Sequence, residues 1–141
     1  MLGTRGVPAQ YGGFETAVEE IGAWLVARGH QVTVYARNPG QSLTEYRGMR
    51  IVNLPAVRHR FTETLSHAAL SGVHAVLRDR PDVAVVLNSG NAPVVRSLVL
   101  AGIPVAVHMD GLESRREKWR GMGARYYRWA ERKAVTWANL V

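Results

Sequence analysis

Three short stretches hold most of the residues that could do chemistry. The first is "GTRGVPAQYGGFE", residues 3–15, with glycines at 3, 6, 12 and 13 and an arginine, running straight into a helical pattern. Gly12 and Gly13 let a backbone come close to a ligand and take dihedral angles that other residues avoid. A helix starting there presents unpaired N–H groups and the positive end of its dipole, which together make an anion site. Arg5 could add a bidentate contact to phosphate or carboxylate. The plainer alternative is a tight turn whose glycines only permit helix–sheet packing.

The second stretch is "NSGNAP", residues 88–93. Asn88 and Asn91 offer amide donors and acceptors to sugar hydroxyls, and both are also ordinary turn residues. The third is "HMDGLE", residues 108–113, where His108, Asp110 and Glu113 lie close together. A carboxylate there could take a proton or hold a hydroxyl. His108 and Asp110 are two apart, so a strand would point them the same way. Nothing else in the sequence has the spacing of a metal site. The structural alternative makes Asp110 the N-cap of a helix. His30, His59, His67 and His74 show no partner pattern. His67 and His74, one heptad apart, read as one helix face with a structural role.

A basic segment follows. Residues 113–133 carry eight Lys/Arg against three Glu, five of the chain's seven net positive charges. Arg125, Arg128 and Arg132 fall on one helical face, with Trp119, Tyr126, Tyr127 and Trp129 interleaved. Such a stripe suits an anionic membrane surface. It would also suit nucleic acid, but no nucleic-acid motif accompanies it, and none is expected as a partner. The plain alternative is a solvated face with the aromatics in the core.

These stretches need strands and helices to position them. Residues 14–25 carry apolar side chains at 14, 17, 18, 21, 24 and 25, the spacing of an amphipathic helix. Glu15, Glu19 and Glu20 come early, Arg28 late, and Gly29 follows, as the dipole and a C-terminal cap favour. Residues 31–37 and 49–55 read as strands, with a turn at 38–41. Residues 64–80 read as a helix. Residues 81–88 form a near-continuous apolar run, as in a strand buried on both faces. A short helix follows at 92–102, with Pro93 in its first turn. Another buried strand spans 103–110 and a helix about 121–138, and "NLV" at 139–141 opens like a strand. This alternation predicts an α/β, Rossmann-like three-layer domain with a parallel sheet. Ligands then bind at the carboxyl ends of the strands, where the three stretches fall.

The 141 residues suffice for one domain with its own core, and 47% are apolar with mean hydropathy near zero. No apolar run is long enough to span a membrane. There is no signal peptide pattern, and no cysteine, which excludes a disulfide scaffold and fits a cytoplasmic location. The net charge of +7 comes from sixteen arginines and two lysines against eleven acids, a balance that favours anionic partners. A dinucleotide fingerprint fits poorly: GxGxxG is absent, and Arg37 stands where an acid would hold a ribose. Arg37 would suit a 2′-phosphate, so an NADP-dependent oxidoreductase fragment stays open as an alternative. So does a non-catalytic anion-binding module. A glycine-rich turn should follow a buried strand of about five residues, and only Met1 and Leu2 precede Gly3. The domain is therefore expected to begin within its first strand, with exposed sheet edges.

"GTRGVPAQYGGFETAVEEIGAWLVARGHQVTVYAR" resembles the opening of family 4 glycosyltransferases of the GT-B fold. With "LSHAAL", "NSGNAP" and "HMDGLESRREKWRGMGARYYRWAERKAV" it is most similar to the rhamnosyltransferase-type N-terminal domain of capsule and exopolysaccharide enzymes. The resemblance spans nearly all 141 residues. It implies transfer of a sugar from a nucleotide-sugar donor to a lipid-linked or saccharide acceptor, with retention, usually without a metal and with no further cofactor. It implies that this domain, residues 1–141, shapes the acceptor side, and that a C-terminal domain outside this sequence holds most of the donor nucleotide. The chain alone is therefore expected to lack transferase activity. The family's approach of the Gly–Gly loop to the donor's phosphate and sugar carries to Gly12 and Gly13. Many members place a histidine at a strand end against the donor sugar. Counting from Pro104, Asp110 takes that place here, and His108 precedes it by two.

Overall fold

The helix expected after the glycine-rich stretch forms as α1 (Gly13–Val26), and its end is closed by the N–H groups of Gly29 and His30 on the carbonyls of Val26 and Leu25. A computed structural model describes residues 1–10, 12–37, 43–57, 62–109, 111–115 and 121–141. Asp110, Trp119, His59 and the turn expected at 38–41 lie outside the described residues. The buried face of α1 is Glu15, Val18 and Gly22. The apolar stripe is wider than the core it meets. Ile21 and Trp24 are about half exposed, at 49% and 53%, and the Arg28 guanidinium stacks on the Trp24 ring, 3.4 Å from its centroid.

The strands are shorter than their apolar runs: β1 (Thr33–Ala36), β2 (Glu45–Tyr46), β3 (Met49–Asn53), β4 (Ala84–Leu87) and β5 (Val105–His108). β1 and β3 pair in parallel, Thr33 opposite Arg50 and Ala36 opposite Asn53. β4 and β5 also pair in parallel, Ala84 opposite Val105 and Leu87 opposite His108. The parallel α/β, Rossmann-like architecture expected from the alternation is present. The sequence pattern missed β2, which pairs antiparallel with β3 through a turn at Arg47 and Gly48. Two residues are too few to show a period of two. "NLV" contributes a single parallel bridge, Leu140 to Ala106.

The chain divides into two units, Met1–Ser71 and Gly72–Val141. In the first, Leu2, Val18, Val34, Met49 and Ile51 are buried together with Ala68 of α2 (Glu63–His74). In the second, Val86, Val95, Leu98, Val105, Ala130 and Ala134 form the core. They come from β4, β5, α3 (Ala92–Leu100) and α4 (Met122–Trp137). The helix expected over 64–80 changes register. After His74 it widens to a π turn over Ala75–Asp79, and the Arg80 N–H closes on the Ala75 carbonyl at 2.7 Å. His74 pairs with Asp79 across this turn at 3.5 Å. Among the described residues no helix is long and apolar enough to cross a membrane.

His67 is the most consequential polar residue of the first unit's interior. It is 1% exposed, its ring is hydrogen-bonded to the backbone of Ala36, and among the described residues its Nε2 has no partner. Burial, together with the nearby Arg37 charge, pushes its pKa down from 6.5 to about 4. The folded protein thus holds the imidazole neutral where the unfolded chain would protonate it. Between about pH 6.5 and about pH 4 the unfolded state binds more protons, so stability is complete at neutral pH and falls as pH falls. The expected slope from this group approaches about 1.4 kcal/mol per pH unit within that window. Urea unfolding of the wild type and of His67→Gln from pH 7.5 downward checks it. The variant should be less stable at neutral pH and lose less stability on acidification.

Candidate functional site

The glycine-rich loop is held by two glutamates one helical turn apart on α1. Residues 1–5 run beside β1, with the Tyr35 N–H on the Met1 carbonyl and the Arg37 N–H on the Arg5 carbonyl, both at 3.0 Å. At Gly6 the chain comes so close to β1 that any side chain would collide with Ala36. The buried Glu15 carboxylate then reaches back. Its Oε1 accepts from the Thr4 hydroxyl at 2.9 Å and the Arg5 N–H at 3.2 Å. Glu19 accepts from the Ala9 N–H at 2.9 Å through one oxygen and from the Tyr46 hydroxyl at 2.8 Å through the other. The Ala9 and Tyr46 hydrogen bonds, with Arg47 beside them, hold the Glu19 carboxyl below its usual pKa. The sequence pattern reads these acids only as charges suited to a helix start. A pair spaced i, i+4 just after a Gly–Gly turn was the available sign.

The loop ends at Gly12, the N-cap of α1, with φ of 85° and no side chain to cap the helix. Gly12 and Gly13 are exposed, as is Arg5. These three residues, expected to meet a ligand, therefore gather around the start of one helix. Arg37 does not join them as a free cation. Its guanidinium donates to Thr64 Oγ1 at 3.1 Å and faces Glu63 at 3.8 Å, with its side chain 11% exposed. That engagement removes the support it offered for a 2′-phosphate site.

The second unit brings the other two stretches side by side. Leu87 pairs with His108 across β4 and β5, and the Asn88 N–H donates to the His108 carbonyl at 3.1 Å. Asn88 caps the short 3-10 turn Ser89–Asn91, its Oδ1 accepting from the Gly90 N–H at 2.8 Å. Asn91 lies in the interior rather than on the loop surface, 0% exposed. Its Nδ2 donates to the Leu87 carbonyl at 2.8 Å and its Oδ1 has no partner. Both asparagines thus serve the turn, the alternative weighed above against sugar binding. His108 is exposed at the end of β5. The strand ends at His108, and the shared direction expected of His108 and Asp110 lies outside the described residues.

α4 is the platform for both loops. The Tyr126 hydroxyl donates to the Gly90 carbonyl at 2.7 Å, and the Tyr127 ring lies against Gly90, where a methyl group would meet it at 2.9 Å. Burial raises the Tyr126 pKa, which keeps the phenol protonated as a donor. Glu131, buried, takes both the N–H and the hydroxyl of Ser114 at 2.8 Å and so ties the turn Glu113–Arg115 to the helix. Arg125, Arg128 and Arg132 are exposed on the face opposite Ala130 and Ala134. Trp129 is 41% exposed and packs against Tyr126 and Trp137. The tyrosines, read as partners of the basic stripe, are instead the joint between helix and loop.

A glycine-rich entry to α1, parallel strands and loops at strand ends agree with the outcome of comparison with known families. The model of the Glycosyl transferase 4-like domain matches residues 12–141. The chain belongs to this glycosyltransferase family. No curated protein and no solved structure matches it. Membership places the chain among glycosyl transferases, whose substrates are a sugar donor and an acceptor. In this glycosyltransferase domain the Tyr126 phenol supplies one hydrogen bond to the joint between α4 and the loop of residues 88–93. Tyr126→Phe removes a single hydrogen bond and leaves the ring in place. It should cost about 1 kcal/mol, read as a lower urea midpoint with an unchanged denaturant slope.

Proposed function

We propose that the chain is the acceptor-side part of a retaining, hexosyl-type glycosyltransferase that moves a sugar, rhamnose by resemblance, from a nucleotide-sugar donor in surface polysaccharide synthesis. The observation that supports this most directly is the loop of residues 3–12, which ends on the side-chain-free start of α1 within a family 4-like domain. In such a transfer the bond between the sugar's anomeric carbon and the phosphate oxygen breaks, and the electron pair leaves with the nucleoside diphosphate. The acceptor hydroxyl oxygen bonds to the same carbon on the same face, and its proton passes to a base. Asp110 is the carboxylate we propose for that proton or for the sugar, and His108 and Asn88 are proposed to bind donor or acceptor. Negative charge grows on the departing phosphate, so a guanidinium such as that of Arg5 favours the transition state over the ground state. The reading predicts that saturation-transfer NMR of the purified chain with UDP-, GDP- and dTDP-hexoses and with saccharide acceptors detects contact, weakened in Arg5→Gln. Contact with none of them would overturn it.

A lipid-linked acceptor at the cytoplasmic face of the inner membrane is the second part of the proposal. It is supported by the exposed Arg125, Arg128 and Arg132 with the partly exposed Trp129 and Met122 on the same helix. Basic and apolar groups together suit an anionic lipid surface better than nucleic acid. Co-sedimentation with phosphatidylglycerol-containing vesicles should be strong at low salt, weak with pure phosphatidylcholine, and lost when all three arginines become glutamine. Equal retention of the triple variant would remove the membrane role.

A further inference from the structure

Glu15 holds more than its loop. Its residue is 8% exposed, and both hydrogen bonds it accepts fall on Oε1. Among the described residues Oε2 has no hydrogen-bond partner, yet it is absent from the sealed, unpartnered atoms of the interior. It therefore reaches solvent. It does so beside Gly12, where a methyl group would stand 3.7 Å from it and touch nothing else. Around Gly13 there is open space. Glu15 occupies the third position of α1, from which a carboxylate commonly turns back to the N-cap amide. Here it does not: Oε1 is committed to Thr4 and Arg5, and Oε2 is presented outward next to an uncapped helix start.

An ionised carboxylate oxygen only accepts hydrogen bonds. Placed here it repels a phosphate that would seat directly over Gly12 and attracts a hydroxyl. We infer that Glu15 contacts the saccharide: Oε2 accepts a hydrogen bond from a sugar hydroxyl that lies over Gly12 and Gly13, while Oε1 keeps the loop in place. The inference rests on the proposed sugar-transfer function and assigns the floor of that site to sugar rather than to pyrophosphate. Gly12 suits this place twice over: its φ of 85° favours glycine, and a methyl there would stand 3.7 Å from the oxygen that the hydroxyl uses.

Two variants separate this from a purely structural role. Glu15→Gln can keep its amide oxygen on Thr4 and Arg5 while it replaces the outward acceptor by an NH₂ donor. Gly12→Ala sets a methyl against Oε2 and leaves the carboxylate. Binding is measured by saturation-transfer NMR with the UDP-, GDP- and dTDP-hexoses and, separately, with UDP, GDP and dTDP lacking the sugar. Melting of each variant is followed alongside. The expected result is that both variants lose about tenfold or more in affinity for the sugar-bearing probe, with the sugar-free diphosphates unchanged and Glu15→Gln still cooperatively folded. Wild-type affinity in both variants would overturn the inference and leave the proposed function standing. Equal loss for sugar-free and sugar-bearing probes would overturn it too, by showing that Glu15 acts through the loop. A wild type that takes up none of the probes would remove the proposed function and this inference together.

Discussion

The loops of this domain depend on carboxylates that turn inward. Residues 3–12 contain few side chains able to pack, and a loop of that kind has to find partners for its own N–H groups. Glu15 supplies one acceptor for the Thr4 hydroxyl and the Arg5 amide, and Glu19, one turn on, another for Ala9. Glu131 does the same for Ser114 in the second unit. A charged acceptor makes stronger hydrogen bonds than a neutral one. Three glutamates on two helices therefore give each loop a rigid backing. Each acid also fixes the loop relative to a helix that is itself packed, so loop geometry inherits the precision of the core.

The same arrangement explains why glycine is required where it is. Gly6 lets the loop lie directly on β1 at Ala36, which places Thr4 and Arg5 within reach of Glu15. Gly12 takes a positive φ and leaves the start of α1 bare. A residue with a side chain at either point would move the loop away from its glutamates or cover the helix start. Packing and ligand access thus make compatible demands on one ten-residue segment.

Much of this was legible in the sequence, and the limits have physical causes. α1 announced itself by its apolar period and by Gly29, and the buried runs around Val86 and Val107 marked parallel strands. β2 was not legible because two residues carry no period. The apolar stripe of α1 overstated its buried face: Ile21 and Trp24 stay about half exposed, and Arg28 covers part of the exposed indole. At the site, Gly12 and Gly13 stood out because glycines before a helix let the backbone approach a ligand at its free N–H groups. Glu15, Glu19 and Glu131 did not, since a helical glutamate looks alike whether it faces water or a loop amide. Tyr126 and Tyr127 were drawn toward the arginines by adjacency in sequence. On a helix, neighbours in sequence point about 100° apart, and the tyrosines turn toward Gly90 instead.

The distribution of charge follows from these contacts. Glu15 and Glu131 are satisfied by N–H and O–H groups of the loops and not by arginines. Arg125, Arg128 and Arg132 form no ion pair among the described residues. The acids are thereby used to build the interior of the loops, and the cations are left facing outward. Glu19 combines two uses, accepting from the Ala9 N–H and pairing with Arg47 at 3.3 Å. Here one set of contacts serves both. The carboxylates hold the loops in place, and among the described residues Arg125, Arg128 and Arg132 stay exposed without an acid beside them.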